Sequence, residues 1–306
     1  MPLSGAGSCG KWVVAAGKKA ALREPSRSLQ KGDPKSRATR LVSDGNQTRN
    51  RMQKRAYRIV ADRGPVKDGA TGARYADLAA VCKTNETVYY CVANEYLAER
   101  IGRFLGLPIP PGAIIPLGGD PPAFGYACLE FALTGEGLPP VDASDCVAKL
   151  PDLSTGLVMF DILIANPDRH VQNLAAVLHE QPYEMTIFDH GHALFGHSKD
   201  GAIKRLTDLQ DRLAITGGSV TKQNRHCLLD GIDDAVYFAK WISRIETLPN
   251  HYIDTTCDDL VGDGIISDHE RSAIVAFLRR RRDRFPKLLE DHKAEFRGIK
   301  QWVLRL

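Results

Sequence analysis

The sequence predicts an α+β chain in two lobes, a small β-rich part carrying one helix and then a mainly helical part. Two observations predict it. Short β-branched and aromatic runs crowd the stretch from Tyr57 to about residue 135 around a single helical stripe, and from Asp142 onward helical texture takes over. The length of 306 residues, 43% of them hydrophobic, is enough for both lobes to bury a core.

Order is expected to begin with a short strand, Tyr57–Ala61, followed by the glycine-containing stretch Gly64–Gly72. Leu78–Lys83 and Thr87–Val92, separated by Thr84-Asn85-Glu86, read as a hairpin. Asn94 stands as an N-cap before Leu97, Ile101 and Phe104, predicting a helix over 95–105 that Gly106 and Pro108 end. Strands Ala113–Leu117 and Phe124–Ala132 complete the first part. In the second, Ser154–Ile164 is apolar nearly all round and therefore a buried helix. Leu174–Leu178 and Glu184–Asp189 flank a proline-containing turn as a second hairpin. Helices are predicted near 203–214, 233–247 and 268–295, the last opening with the Ser267-Asp-His-Glu270 capping box. Within it, Ile274, Phe277 and Leu278 mark a buried side, which assigns Arg279–Arg282 to a solvated face.

The formal charge of +4 hides an asymmetry. Residues 1–55 carry 13 Lys and Arg against three Asp and Glu, a net +10, leaving −6 on the other 251 residues. This Gly-, Ser- and Arg-rich segment reads as a disordered basic tail, with organelle targeting or nucleic-acid contact as its functional readings and a solvated extension as the favoured one. The domain division that follows is 1–55 tail, 56–137 first lobe and 138–306 second lobe. Seven scattered cysteines, none in a Cys-x-x-Cys pair, fit neither a disulfide framework nor a zinc knuckle. No apolar run is long enough to span a membrane and no signal-peptide pattern opens the chain, so the expected location is the cytoplasm. Asp259 to Glu270 echoes a calcium loop, but Val261 spoils its third ligand position and the capping box already explains Ser267 and Glu270.

The chemistry is concentrated in Phe160-Asp-Ile-Leu-Ile-Ala-Asn-Pro-Asp-Arg-His-Val-Gln-Asn173 and in Phe188-Asp-His-Gly191. A buried helix is stopped at Pro167, which places Asp168, Arg169 and His170 on a loop at the rim of a core. The hairpin that follows carries the chain out and back to Asp189, so Asp168, Asn173 and Asp189 can converge at one end of it. Two carboxylates and an amide are what phosphoryl transfer asks for: a base to orient the attacking hydroxyl, and hard oxygen ligands for Mg²⁺. Gly191 would let the backbone turn sharply beyond the metal. The same chemistry needs a cation at the ATP phosphates, usually a strand lysine held by a helix glutamate, and Lys83 with Glu95 supplies that pair. Strand order places Glu130 and Phe131 where adenine would be held.

Asn166-Pro-Asp-Arg-His-Val-Gln-Asn173 with Phe188-Asp-His-Gly191 resembles the motifs of the HipA-like and phosphatidylinositol 3/4-kinase-like branch of the protein kinase-like superfamily. Asn94-Glu through Leu105-Gly-Leu-Pro-Ile-Pro110 resembles the HipA-type helix that ends in a proline turn. The resemblance implies a bilobal kinase-like fold and ATP-dependent phosphorylation with Mg²⁺, of a protein Ser/Thr hydroxyl in preference to an inositol lipid. It implies Asp168 as catalytic base with His170 beside it as a structural partner of the loop, Asn173 and Asp189 as metal ligands, and Lys83 with Glu95 at the phosphates. Two other readings stay open: a pseudokinase that binds nucleotide without turnover, whose sign would be a misplaced Lys83, and a metal-dependent hydrolase using Asp168, His170, Asp189, His190, His192 and His197.

Overall fold

The computed structural model of the chain describes residues 57–67, 71–131, 141–217 and 225–302. The basic segment 1–55, residues 68–70 of the Gly64–Gly72 stretch and Ala132 lie outside them. Strands and helices both occur, as the α+β prediction requires, and the described residues divide into two compact units.

One unit contains an antiparallel hairpin, β1 (Ile59–Pro65) and β2 (Arg74–Leu78), in register from Ile59 opposite Leu78 to Pro65 opposite Arg74. Arg63–Asp77 and Arg74–Asp62 pair across its surface, exposed contacts that solvent and salt screen. Glu130 belongs to this unit: its carboxylate accepts Arg58 Nη2 at 2.6 Å and its N–H donates to Ala79 O at 2.9 Å.

The other unit holds a three-stranded sheet in the order β3-β5-β4, from β3 (Ala80–Lys83), β4 (Gly112–Gly118) and β5 (Ala123–Leu129), with β4 and β5 antiparallel. The hairpin predicted between 78–83 and 87–92 does not form. Residues 84–90 turn, and helix α1 (Cys91–Phe104) has already begun at Cys91. Val88, Tyr90, Cys91 and Val92 are buried while Tyr89 is 42% exposed, and periodicity cannot tell a short apolar run of this kind from a strand. Asn94 is accordingly no N-cap but lies inside α1, whose first turn is capped from a distance: Asn85 Oδ1 accepts the Val92 N–H at 2.9 Å. Phe104, on the predicted apolar stripe, is 40% exposed and packs at a tilt on Tyr252, ring centroids 5.0 Å apart.

Helices make up most of this unit: α2 (Ala143–Lys149), α3 (Pro151–Leu163), α4 (Ala202–Asp208), α5 (Phe238–Glu246), α6 (Asn250–Gly262), α7 (Asp268–Asp283) and α8 (Phe285–Asp291). Proline at the first position of α3 suits a helix start, and every residue from Ser154 to Leu163 is buried. At Gly156 an added Cβ would overlap the Trp241 indole, so only glycine lets α5 approach this closely. The hairpin β6 (Leu174–Val177) and β7 (Glu184–Ile187) pairs as predicted, Leu174 opposite Ile187. The Ser267–Glu270 capping box is present, while Asp259–Gly262 are the last turn of α6 and not a calcium loop.

The arginine run of α7 corrects the solvated-face expectation. Arg281 is 1% exposed and donates to the carbonyls of Ile162, Leu163, Leu209, Gln210 and Arg212, capping the C-terminus of α3 with no carboxylate among its acceptors. Burial outweighs the attraction of Asp211 and pulls its pKa down to about 9. Arg281→Met should therefore lower Tm by several degrees in a thermal melt, because each stranded carbonyl costs about 1–3 kcal/mol.

Candidate functional site

The last residue of β3 and the second turn of α1 meet the loop after β7. Lys83 Nζ lies 2.5 Å from Glu95 Oε1 and 2.8 Å from Asp189 Oδ1. Glu95 Oε1 also accepts the His190 N–H at 2.8 Å. Because α1 is buried on nearly every face, the side opposite Leu97 and Ile101, where Glu95 sits, is interior as well. Burial alone would discharge both groups, but their mutual attraction prevails: Lys83 is held above the ordinary lysine range and Glu95 below the ordinary carboxylate range.

The loop after α3 is fixed by a buried polar network whose centre is Asp161, a residue to which the motif assigns no role. Arg169 Nε donates to Asp161 Oδ2 at 2.8 Å and Arg169 Nη2 to Oδ1 at 3.2 Å, with both side chains fully buried. Asn166 Nδ2 donates to Asp161 Oδ1 at 2.9 Å. His226 Nδ1 accepts the Leu228 N–H, so the proton sits on Nε2 and is donated to Asp161 Oδ2 at 3.1 Å. Arg169 Nη1 reaches further, to the carbonyls of Asn173 at 2.9 Å and Phe188 at 2.7 Å. One guanidinium thus joins the Asp168 loop, Asn173 and the residue before Asp189, which makes Arg169 the clamp that brings the two motif segments together.

Within this frame Asn173 ends a short 3₁₀ turn and spends its Nδ2 on Asp168 O at 2.9 Å, leaving Oδ1 as its acceptor. The Asp168 carboxylate accepts no hydrogen bond among the described residues, while its backbone is pinned by Asn166 Oδ1 and Asn173 Nδ2. The left-handed residue of the Asp-His-Gly motif is Asp189, at φ 63°, and not Gly191; aspartate is among the residues that tolerate this region. Asn94 braces the loop beyond, donating to the carbonyls of Gly191 and Gly196 and accepting the Phe195 N–H. His170 contributes backbone bonds, to Asp168 O and from Asn173 N–H, and is half-buried. Glu130 and Phe131 follow β5 in the other compact unit. Among the described residues no three His, Cys, Asp or Glu side chains are grouped to hold a metal ion; His190 is buried against Phe160.

A buried aspartate on an otherwise apolar helix and a histidine 65 positions later have one signal in sequence, the cost of burying Asp161 unpaired. The partner is not legible, since Arg169 and His226 reach it only in three dimensions. A cavity of about 460 Å³ also opens beside Pro167, lined by Arg205, Arg212, Thr216 and His292; Lys83, Glu95 and Asp189 do not line it.

These shifts set a pH profile. Burial holds His226 below its ordinary 6.5 despite Asp161, so the unfolded chain protonates first and stability falls as pH drops below about 6.5. Asp161 and Glu95 are depressed below 3.8 and 4.5, adding a second loss below those values. Lys83 is raised above 10.5, so its contribution is present up to that pH and lost only above it. Tm should be flat from about pH 7 to 8, fall on the acid side, and fall above about pH 9, where the buried thiols of Cys128, Cys146, Cys227 and Cys257 keep protons that the unfolded chain loses; His226→Gln should remove the arm that starts near 6.5, and an acid arm unchanged in that variant would contradict the assignment.

No family model matches the chain, and no curated protein matches it. Among solved structures it is similar to a proinflammatory kinase, CtkA, of Helicobacter pylori, at 17% identity and a TM-score of 0.48, over 77% of this chain and 97% of that one. It is also similar to a chain of the toxin–antitoxin complex of HipA, HipB and operator DNA from Shewanella oneidensis MR-1, at 12% identity and a TM-score of 0.37, over 81% of this chain and 72% of that one.

Proposed function

We propose that the chain is an ATP-dependent, HipA-like phosphotransferase that phosphorylates a protein Ser/Thr hydroxyl. The observation that carries this reading is the contact of Lys83, chosen by its place in a strand before the helix, with both Glu95 and Asp189, the latter 106 positions away. A misplaced Lys83 would have favoured a pseudokinase, and Lys83 instead meets both carboxylates. The preference for a protein acceptor rests on the resemblance of residues 94–110.

In this reading Lys83, oriented by Glu95, binds the α- and β-phosphates, and Asp168 accepts the proton of the attacking hydroxyl. Its carboxylate, unengaged by other side chains, is available for that bond. Asn173 Oδ1 and the Asp189 oxygen that Lys83 does not take are hard donors suited to Mg²⁺, which would neutralise charge on the phosphate oxygens. Calorimetric titration should give ATP binding that needs Mg²⁺ and that weakens about 10-fold or more in Asp189→Asn, about 1.4 kcal/mol. Absence of binding in the wild type would sink the proposal.

A further inference from the structure

Glu95 is useful only while α1 stays where it is, and α1 is bolted along its whole length to helices from the carboxy-terminal part of the same unit. At its start, Tyr90 Oη donates to Glu270 Oε1 on α7, and the Tyr90 ring stacks on Phe195 at 4.7 Å. Next to Glu95, Tyr96 Oη donates to Asp259 Oδ2 on α6 at 2.6 Å. One turn on, Arg100 O accepts the Tyr252 hydroxyl at 2.9 Å, and past the last turn Leu105 O accepts Arg244 Nη1 at 3.1 Å. Glu270 is itself fixed, its Oε2 taking the N–H and hydroxyl of Ser267 at 2.7 and 2.8 Å. Both tyrosines are buried, and neither hydroxyl touches Lys83, Glu95 or Asp189 directly.

We propose that Tyr90 and Tyr96 are positioning residues for phosphate transfer: their hydroxyls lock α1 onto α6 and α7 so that Glu95 holds Lys83 without nucleotide and without a prior modification. This inference rests on the phosphotransferase reading. It makes the site competent at rest, because moving α1 would break the Tyr90–Glu270, Tyr96–Asp259 and Tyr252–Arg100 bonds together. A helix that swings to switch activity is incompatible with those bolts.

The test uses the full chain and four variants: Tyr90→Phe/Tyr96→Phe, Asp259→Leu, Asp259→Asn and Glu95→Gln. Tyr→Phe removes only the hydroxyl and keeps the packing. The expected result is a rise of about 5-fold or more in the KM for ATP in the double variant and in Asp259→Leu, with circular dichroism unchanged. Asp259→Asn, which can still accept the Tyr96 hydroxyl, should restore near wild-type KM. Transfer by freshly purified wild type should also begin without a lag. An unchanged KM in the double variant, while Glu95→Gln raises it, would overturn the positioning role, as would a lag abolished by prior incubation with ATP. Loss of ATP binding and transfer in the wild type itself would instead mean that the phosphotransferase reading had failed.

Discussion

Arg169→Met unfolds the chain or costs it about 3–5 kcal/mol, a large share of the 5–15 kcal/mol that holds a typical domain together. Asp161 would be left with its charge buried, and neither Asn166 nor neutral His226 can neutralise it. The carbonyls of Asn173 and Phe188 would lose their donor in the same step. Asp161→Asn is expected to be nearly as severe, since it strands a fully buried guanidinium. Replacing both with apolar residues of similar volume should recover much of the stability, because two desolvation costs disappear together. Equilibrium urea unfolding of the two singles and the double makes a double-mutant cycle, and a double variant as unstable as the sum of the singles would contradict a direct ion pair.

Asp168→Asn is expected to lower transfer by about 10²–10⁴-fold, the range for a positioned general base, with Tm nearly unchanged. The contrast with Arg169 follows from geometry. The Asp168 carboxylate accepts no hydrogen bond among the described residues, whereas its N–H and carbonyl hold the loop through Asn166 and Asn173. Removing the charge should therefore spare the loop and the binding of ATP. A Tm loss comparable to that of Arg169→Met would show that Asp168 is a structural residue of the turn.

What the sequence shows of this fold follows the range of the interactions involved. The β6–β7 hairpin and the Ser267–Glu270 box are legible because their partners lie within a few residues. The start of α1 is not, because Asn85 caps it by accepting the Val92 N–H seven residues on, and Cys91 to Glu99 are all buried whatever helical face they take. Helix α6 is not legible because its composition is polar and its buried apolar residues, Ile253, Cys257 and Leu260, are few. In the site, Lys83, Glu95, Asp168, Asn173 and Asp189 are legible by motif because phosphate chemistry dictates their types. Arg281 and Asp161 are not, since a charge in a helix reads as solvated until the carbonyls or side chains that surround it are known, and His226 is not, since its partner Asp161 lies 65 positions away.

The central claim is that Asp168 and Asp189 serve one phosphate-transfer site. Its most direct test is transfer of labelled γ-phosphate from ATP, with Mg²⁺, by the purified chain to itself and to a cell lysate, comparing wild type with Asp168→Ala and Asp189→Ala. Label deposited by wild type and absent from both variants is the predicted result. Equal labelling by all three proteins would contradict the roles assigned to both carboxylates, and no label from a wild type that binds Mg²⁺ and ATP would contradict turnover itself.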